Sequence, residues 1–298
     1  TVVLDGQLEL DNGIRVLGAK GVAIENMTAT NYTRNGYFWT QADGYRGSYL
    51  TAYRTGDYGV YAFDSVNGQL DHIYAAGSPD AGVYIGECYP CNAVITDVVS
   101  EHNGLGYSGT NSGGNLLIVN SVFRNNRAGI VPNSGSYELC YPERDTTIVG
   151  NSVYSNNQPD TPAIDVALLA MGNGIIAAGG NLNDIERNRV WDHDKGGISL
   201  VPLVNGPIER TEPVELDAAR FLRRATDRQV KVTVPGPFTL SQLASAPAAL
   251  RQHPTLLAVV DRLPATWCDA LELAEQAEPV IYADCLDVCN VLECLEDA

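Results

Sequence analysis

Four short turns carry acids and bases at a nearly constant spacing. They read RTGD (54–57), GSPD (77–80), EHNG (101–104) and RNNR (124–127). Aligned on the glycine that follows each turn, Asp57 and Asp80 fall in one column on adjacent rungs, with Glu101 and His102 one rung on and Arg127 beyond. Stacked carboxylates repel, so one is pushed to a raised pKa unless a cation lies between them. An acid and a base for glycosidic cleavage need that arrangement. Calcium held by two carboxylates is an alternative. Turn chemistry is another, because Asp caps its own backbone in Asp-x-Gly and Pro-Asp sequences.

A second column lies two residues after each recurring glycine. It reads Phe38, Tyr61 and Tyr84 on three consecutive rungs, then Ser108, Val131, Ile176 and Ser199. Flat apolar rings suit the faces of sugar rings; rings stacked on one another are the other reading. Two turns are much longer than the rest. NSGSYELCYPERD (133–145) presents Tyr137, Glu138, Tyr141, Glu143 and Arg144, and insertions in repeat proteins tend to carry the binding surface. QPDTPAIDVALLAMGN (158–173) holds an apolar run, Ala163 to Met171, that reads as a short helix packed on the body. The four histidines form no Ser-His-Asp set, and His72 reads as a turn or surface residue.

The elements that position these columns are set by a repeat. Gly13, Gly36, Gly59, Gly82, Gly106, Gly129, Gly174 and Gly197, each followed by a large apolar residue, are spaced 23, 23, 23, 24, 23, 45 and 23. GVYAFD (59–64) and GVYIGE (82–87) almost repeat each other. A fixed period in the twenties is the signature of a solenoid. Within a rung the apolar runs are short and alternate, which is strand periodicity. Asn, Gly, Asp and Ser between them make tight turns. The pattern predicts an all-β, right-handed parallel β-helix of about eight rungs over 1–205. Asn26, Asn120, Asn151 and Asn188 are expected to stack rung on rung.

Composition bounds the rest. The net charge is −17 with only three lysines, Lys20, Lys195 and Lys231. Nucleic acid is therefore not an expected partner, and a polyanionic glycan would be repelled unless calcium bridged it. No apolar run is long enough to span a membrane. The chain opens in what reads as mid-strand, so a removed leader or a missing start is expected.

The pattern breaks near residue 205. Through that position there are 27 Gly and 21 Asn; beyond it, two and one. Residues 206–298 read as an α-rich cap or separate small region. Helices are expected over 214–227 and 238–250, with a strand over 229–234. Seven cysteines are present. Cys88 and Cys91 form CYPC in a lengthened turn. A structural disulfide or inert thiols, a metal site and redox chemistry all remain open readings for this pair. Cysteine usage favours an extracellular or cell-surface setting.

The stretch GECYPCNAVITDVVSEHNGLGYSGTNSGGNLLIVNSVFRNNRAGIVPNS, with GNGIIAAGG and IERNRVWDHDKGGISLVP, resembles right-handed parallel β-helix repeat proteins of bacteria, particularly secreted or surface-attached actinobacterial ones. These are similar to carbohydrate-binding and sugar-hydrolase modules of the pectate-lyase-like superfamily. The resemblance implies the fold over residues 1–205 and a polysaccharide or glycan partner. A shorter segment, FLRRATDRQVKVTVPGPFTLSQLA, within 213–245, is similar to a strand and turn of the cobalamin-independent methionine synthase barrel. That family binds zinc through His, Cys and Glu outside this segment. Only His253 follows residue 205 here, so the activity is not carried over.

Three functions follow as expectations. The first is glycan binding without turnover. The second is a polysaccharide hydrolase, less readily a lyase, using the carboxylate column. The third is a structural surface protein. Asp57, Asp80, Glu101, His102 and Arg127 are the expected catalytic set. Phe38, Tyr61, Tyr84, Tyr137 and Tyr141 are the expected sugar contacts. No cofactor is expected beyond a possible calcium ion.

Overall fold

The computed structural model describes residues 2–201, 231–232 and 280–281. The chain divides into two compact units, Thr1–Pro202 and Leu203–Ala298. The first is a parallel β-solenoid of about nine turns. One sheet runs, in spatial order, through β1 (Val2–Asp5), β3 (Lys20–Tyr32), β5 (Asp43–Thr55), β7 (Val66–Ala76), β9 (Ala93–Glu101), β11 (Gly113–Val119), β14 (Arg144–Val149) and β17 (Asp184–Glu186). The short strands β12 (Val122–Arg124), β15 (Ser152–Tyr154) and β18 (Arg189–Trp191) extend it beside β9. The second sheet has one strand per turn: β2 (Asn12–Leu17), β4 (Asn35–Thr40), β6 (Tyr58–Phe63), β8 (Ala81–Gly86), β10 (Leu105–Thr110), β13 (Ala128–Asn133), β16 (Asn173–Ala178) and β19 (Gly196–Val201).

The recurring glycine has a steric cause. A Cβ on Gly36 would lie 2.7 Å from the Gly59 carbonyl oxygen, and one on Gly59 would lie 2.6 Å from that of Gly82. Only glycine lets successive rungs approach so closely there. The next residue then turns inward: Tyr37, Val60, Val83, Tyr107, Ile130 and Ile175 are fully buried and stack through the interior. Each large side chain withdrawn from water in this way contributes about 1.5–3 kcal/mol.

Corners are made by left-handed residues. Asn26, Tyr49, His72, Asp97 and Asn120 share one corner, with φ between 48° and 58°. Arg54, His102, Asn125, Ser155 and Asp192 mark a second, with φ between 52° and 60°. Asn and Asp enter this region at least cost, and His more readily than most. The expected asparagine ladder forms at two of its four candidates. Asn151 and Asn188 do stack, the Asn151 N–H donating to Asn188 Oδ1 at 3.0 Å. Asn26 and Asn120 are exposed corner residues instead. A second, fully buried ladder joins Asn103, Asn126 and Asn156 through backbone and side-chain amides at 2.9–3.1 Å.

Between β15 and β16 the long insertion forms α1 (Asp165–Ala170), whose Ala167 and Ala170 are buried. Of the second unit, β20 (Lys231–Val232) pairs in parallel with β21 (Val280–Ile281). Lys231 and Val232 belong to the strand expected over 229–234. The helices expected over 214–227 and 238–250 lie outside the described residues. Among the described residues no helix is long and apolar enough to cross a membrane.

Candidate functional site

Outward positions on the second sheet carry an aromatic cluster. Phe38 pairs with Tyr61, and Tyr61 with Tyr84, across β4, β6 and β8. The rings partly stack on one another: Phe38 and Tyr61 lie 4.8 Å apart and nearly parallel, while Tyr84 meets Tyr61 edge-on at 4.8 Å. Tyr58 closes against Tyr61 at 4.2 Å. Phe38, Tyr58 and Tyr61 stay half-buried, but Tyr84 is only 2% exposed. Further along the same column, Val131 and Ile176 lie under α1, in a cluster with Ala81, Leu105, Ala128, Ala167 and Ala170.

Carboxyl groups stand at both ends of these strands. Asp57 and Asp80 occupy adjacent rungs, the Asp80 N–H donating to the Asp57 carbonyl at 3.2 Å. Burial pushes Asp80 up to about 6, opposed by a hydrogen bond with Tyr58 and reinforced by the charges of Asp57 and Glu138. Burial also raises Asp57, with Arg34 opposing. At the far end of β8, Glu87 is 6% exposed. Burial and a hydrogen bond shared with the Glu138 carboxyl push it up to about 7. The Leu139 N–H donates to Glu87 Oε2 at 3.3 Å, so the apex of the 133–145 loop rests on this residue. The Tyr61 phenol is raised by burial and by four acids: Glu87, Asp80, Glu138 and Asp57.

The five expected catalytic residues do not share one edge. Asp57 and Asp80 belong to the aromatic cluster. Glu101 pairs in register with Ala76 and Arg124, not with Asp80. Glu101 stands five residues before Gly106, whereas Asp80 stands two before Gly82, so Glu101 ends the first-sheet strand ahead of the turn and the turns themselves differ by only one residue. Four residues (77–80) link Ala76 to Ala81, whereas three (102–104) link Glu101 to Leu105, although both pairs are in register. Glu101 and His102 therefore line a cavity on the other side of the turn. Arg124 Nε donates to Glu101 Oε2 at 2.7 Å and the Tyr74 hydroxyl to Oε1 at 2.9 Å, which together hold its carboxyl below the usual range despite burial. Arg127 reaches neither site. Its guanidinium donates to the Thr161 and Pro159 carbonyls and ties down the insertion.

Of the loop residues, Tyr137 is 81% exposed and Tyr141 is half-buried. Glu143 is fully buried and accepts from Thr146 at 2.9 Å and Asn183 at 2.8 Å; burial lifts it to about 7 in a structural corner. Tyr58 and Glu87 were not singled out by residue type. The repeat did hold a signal for Glu87, since GVYAFD and GVYIGE end in an acid at the same position. Cys88 and Cys91 form a buried disulfide. Among the described residues no three His, Cys, Asp or Glu side chains converge as metal ligands.

No curated protein and no solved structure matches this chain. A family model described as a right handed beta helix region matches residues 12–205, which spans every turn from β2 to β19. That family fits carbohydrate-related or surface β-helix proteins in general. The chain is a member of the right-handed β-helix family.

Proposed function

We propose that the outward face of the second sheet binds a polysaccharide, with Tyr61 at the centre of the site. One observation carries this reading: the charges of four carboxyl groups, from two solenoid turns and the 133–145 loop, act on the Tyr61 phenol beside half-buried rings. Carboxylates and phenols accept and donate to sugar hydroxyls, and aromatic edges and faces shed water against the sugar C–H groups. The right-handed β-helix family fits carbohydrate-related or surface proteins in general, and the disulfide favours an oxidising, extracellular or surface location. A glycan array followed by calorimetry tests the reading. Tyr61→Ala should weaken binding of any hit by at least about tenfold, the worth of one good aromatic contact. Binding that survives this change intact places the sugar elsewhere.

Hydrolysis is the second reading, favoured by Asp80 at about 6 and Glu87 at about 7. Groups titrating near neutrality are suited to general acid–base work. Release of reducing ends that disappears in Asp80→Asn or Glu87→Gln would support it. A lyase acting on uronates fits less well, because the acids around Tyr61 repel a polyanion. A calcium ion would have to offset that charge.

A further inference from the structure

A cavity of about 460 Å³ lies on the first-sheet side of the turn, away from the Tyr61 cluster. Its walls include Tyr53, Tyr74, Glu101, His102, Gln158 and Asp160. The two tyrosine side chains come from neighbouring strands, β5 and β7, and are 48% and 37% exposed. His102 sits at a left-handed corner, where the backbone fixes it at the cavity edge. Glu101 is buried, and Arg124 and Tyr74 hold it ionised. Its charge is matched by Arg124, and the lining carries one further acid, Asp160, and one base, Arg54. The lining is therefore close to neutral, unlike the acid ring around Tyr61.

The 158–172 insertion separates the two places. Gln158, Asp160 and Thr161 wall the cavity, while Ala167 and Ala170 of the same insertion are buried with Ala81, Leu105 and Ala128 of the second sheet. Arg127 and the Pro79 carbonyl fix the insertion in this position, the latter accepting from the Ile164 N–H at 3.0 Å. The cavity is thus a built concavity with aromatic walls, both donors and acceptors, and balanced charge. Uncharged polyhydroxylated ligands need that combination: ring surface for the C–H faces, and paired donors and acceptors for hydroxyls that do both. An acidic sugar would gain no net counter-charge here, and a phosphate would find no free cationic cluster.

We propose that this cavity is a second glycan-binding site, taking an uncharged sugar unit independently of the Tyr61 site. The two sites flank one insertion, so a polysaccharide is held at two points of the solenoid. Although the ligand class is the same as in the reading above, the argument rests on the cavity's own lining and stands if Tyr61 binds nothing.

The test is calorimetry on the full chain with hexamers of β-1,4-linked glucose, xylose and mannose, and a galacturonate hexamer as the charged control. The variants are Tyr53→Ala, His102→Asn and Tyr61→Ala; asparagine keeps the left-handed corner at 102. Thermal melts identify any variant that fails to fold. At least one neutral hexamer is expected to bind. Its binding should weaken about tenfold or more in Tyr53→Ala and His102→Asn, the scale of a lost aromatic or hydrogen-bonding contact. Neutral binding lost only in Tyr61→Ala overturns the cavity and leaves the Tyr61 site standing. Binding lost only in Tyr53→Ala and His102→Asn supports the cavity and removes the other. No neutral hexamer binding, or a preference for galacturonate, overturns the cavity proposal.

Discussion

Glu87 and Glu101 stand on neighbouring turns of one solenoid, and both are nearly buried, at 6% and 9% exposure. Burial penalises the charged form of each as its largest influence. Yet Glu87 rises to about 7 while Glu101 falls below its ordinary value. The difference lies in the side chains each one meets. Glu101 has Arg124 directly across the ladder at 2.7 Å and the Tyr74 hydroxyl beside it. Glu87 has another carboxyl, Glu138, and one backbone N–H. The side chain that each acid meets, from the next rung for Glu101 and from the 133–145 loop for Glu87, decides its charge more than depth does.

The largest test removes the scaffold at the turn beside Glu101. Asn126 is fully buried at the turn between the two faces. Its Oδ1 accepts from the Asn103 N–H, and its amide donates to the Ser100 carbonyl and to Asn156. Asn126→Ala leaves several buried polar groups without partners, at about 1–3 kcal/mol each, so a loss of about 4 kcal/mol is expected. Urea unfolding checks it. A loss under about 1 kcal/mol would mean that the ladder does not set the register of the two faces.

Next comes the acid that rises. A carboxyl with a folded pKa of about 7 favours folding while neutral, so its contribution is full below its unfolded value and fades as pH climbs through 7. Glu87→Gln removes that loss. The variant should match the wild type near about pH 4 and exceed it by about 2 kcal/mol near about pH 8. Equal stability at both pH values would show that Glu87 is ionised at no cost, and the contrast with Glu101 would collapse.

The sequence shows one of these two acids more clearly than the other, for a physical reason. Glycine marks the point where rungs touch backbone to backbone, as Gly36, Gly59 and Gly82 do. Counting from it places every residue of the second sheet, so the Phe38, Tyr61 and Tyr84 column and the stacked Asp57 and Asp80 are legible. The count fails once it crosses a turn, because the chain absorbs one more residue at 77–80 than at 102–104 with no mark in composition. Glu101, five residues before its glycine where Asp80 is two before, lies across that turn at the end of β9, with His102 beside it. The contact of the 133–145 loop with Glu87 was also hidden, since Leu139 reaches it across more than fifty residues. Side chains such as Arg127 are equally opaque, because its partners are backbone carbonyls of a distant insertion.

The smallest effect belongs to the acid that falls. Glu101 has a folded pKa held down by Arg124 and Tyr74, so its contribution is present above the unfolded value and disappears as pH drops through the folded one. Arg124 is more than a third exposed, so solvent screens much of the attraction. Glu101→Gln keeps an acceptor for the Tyr74 hydroxyl but discards the charge, and a loss of about 1 kcal/mol near neutral pH is expected. The gap should narrow as pH falls below the ordinary glutamate range and close only once the lowered folded value is passed. The two glutamate variants therefore diverge from wild type with opposite signs as pH rises. Thermal melts from about pH 4 to pH 8 read both at once. Divergence of the same sign in both variants would show that burial, and not the neighbouring side chains, governs these carboxyls.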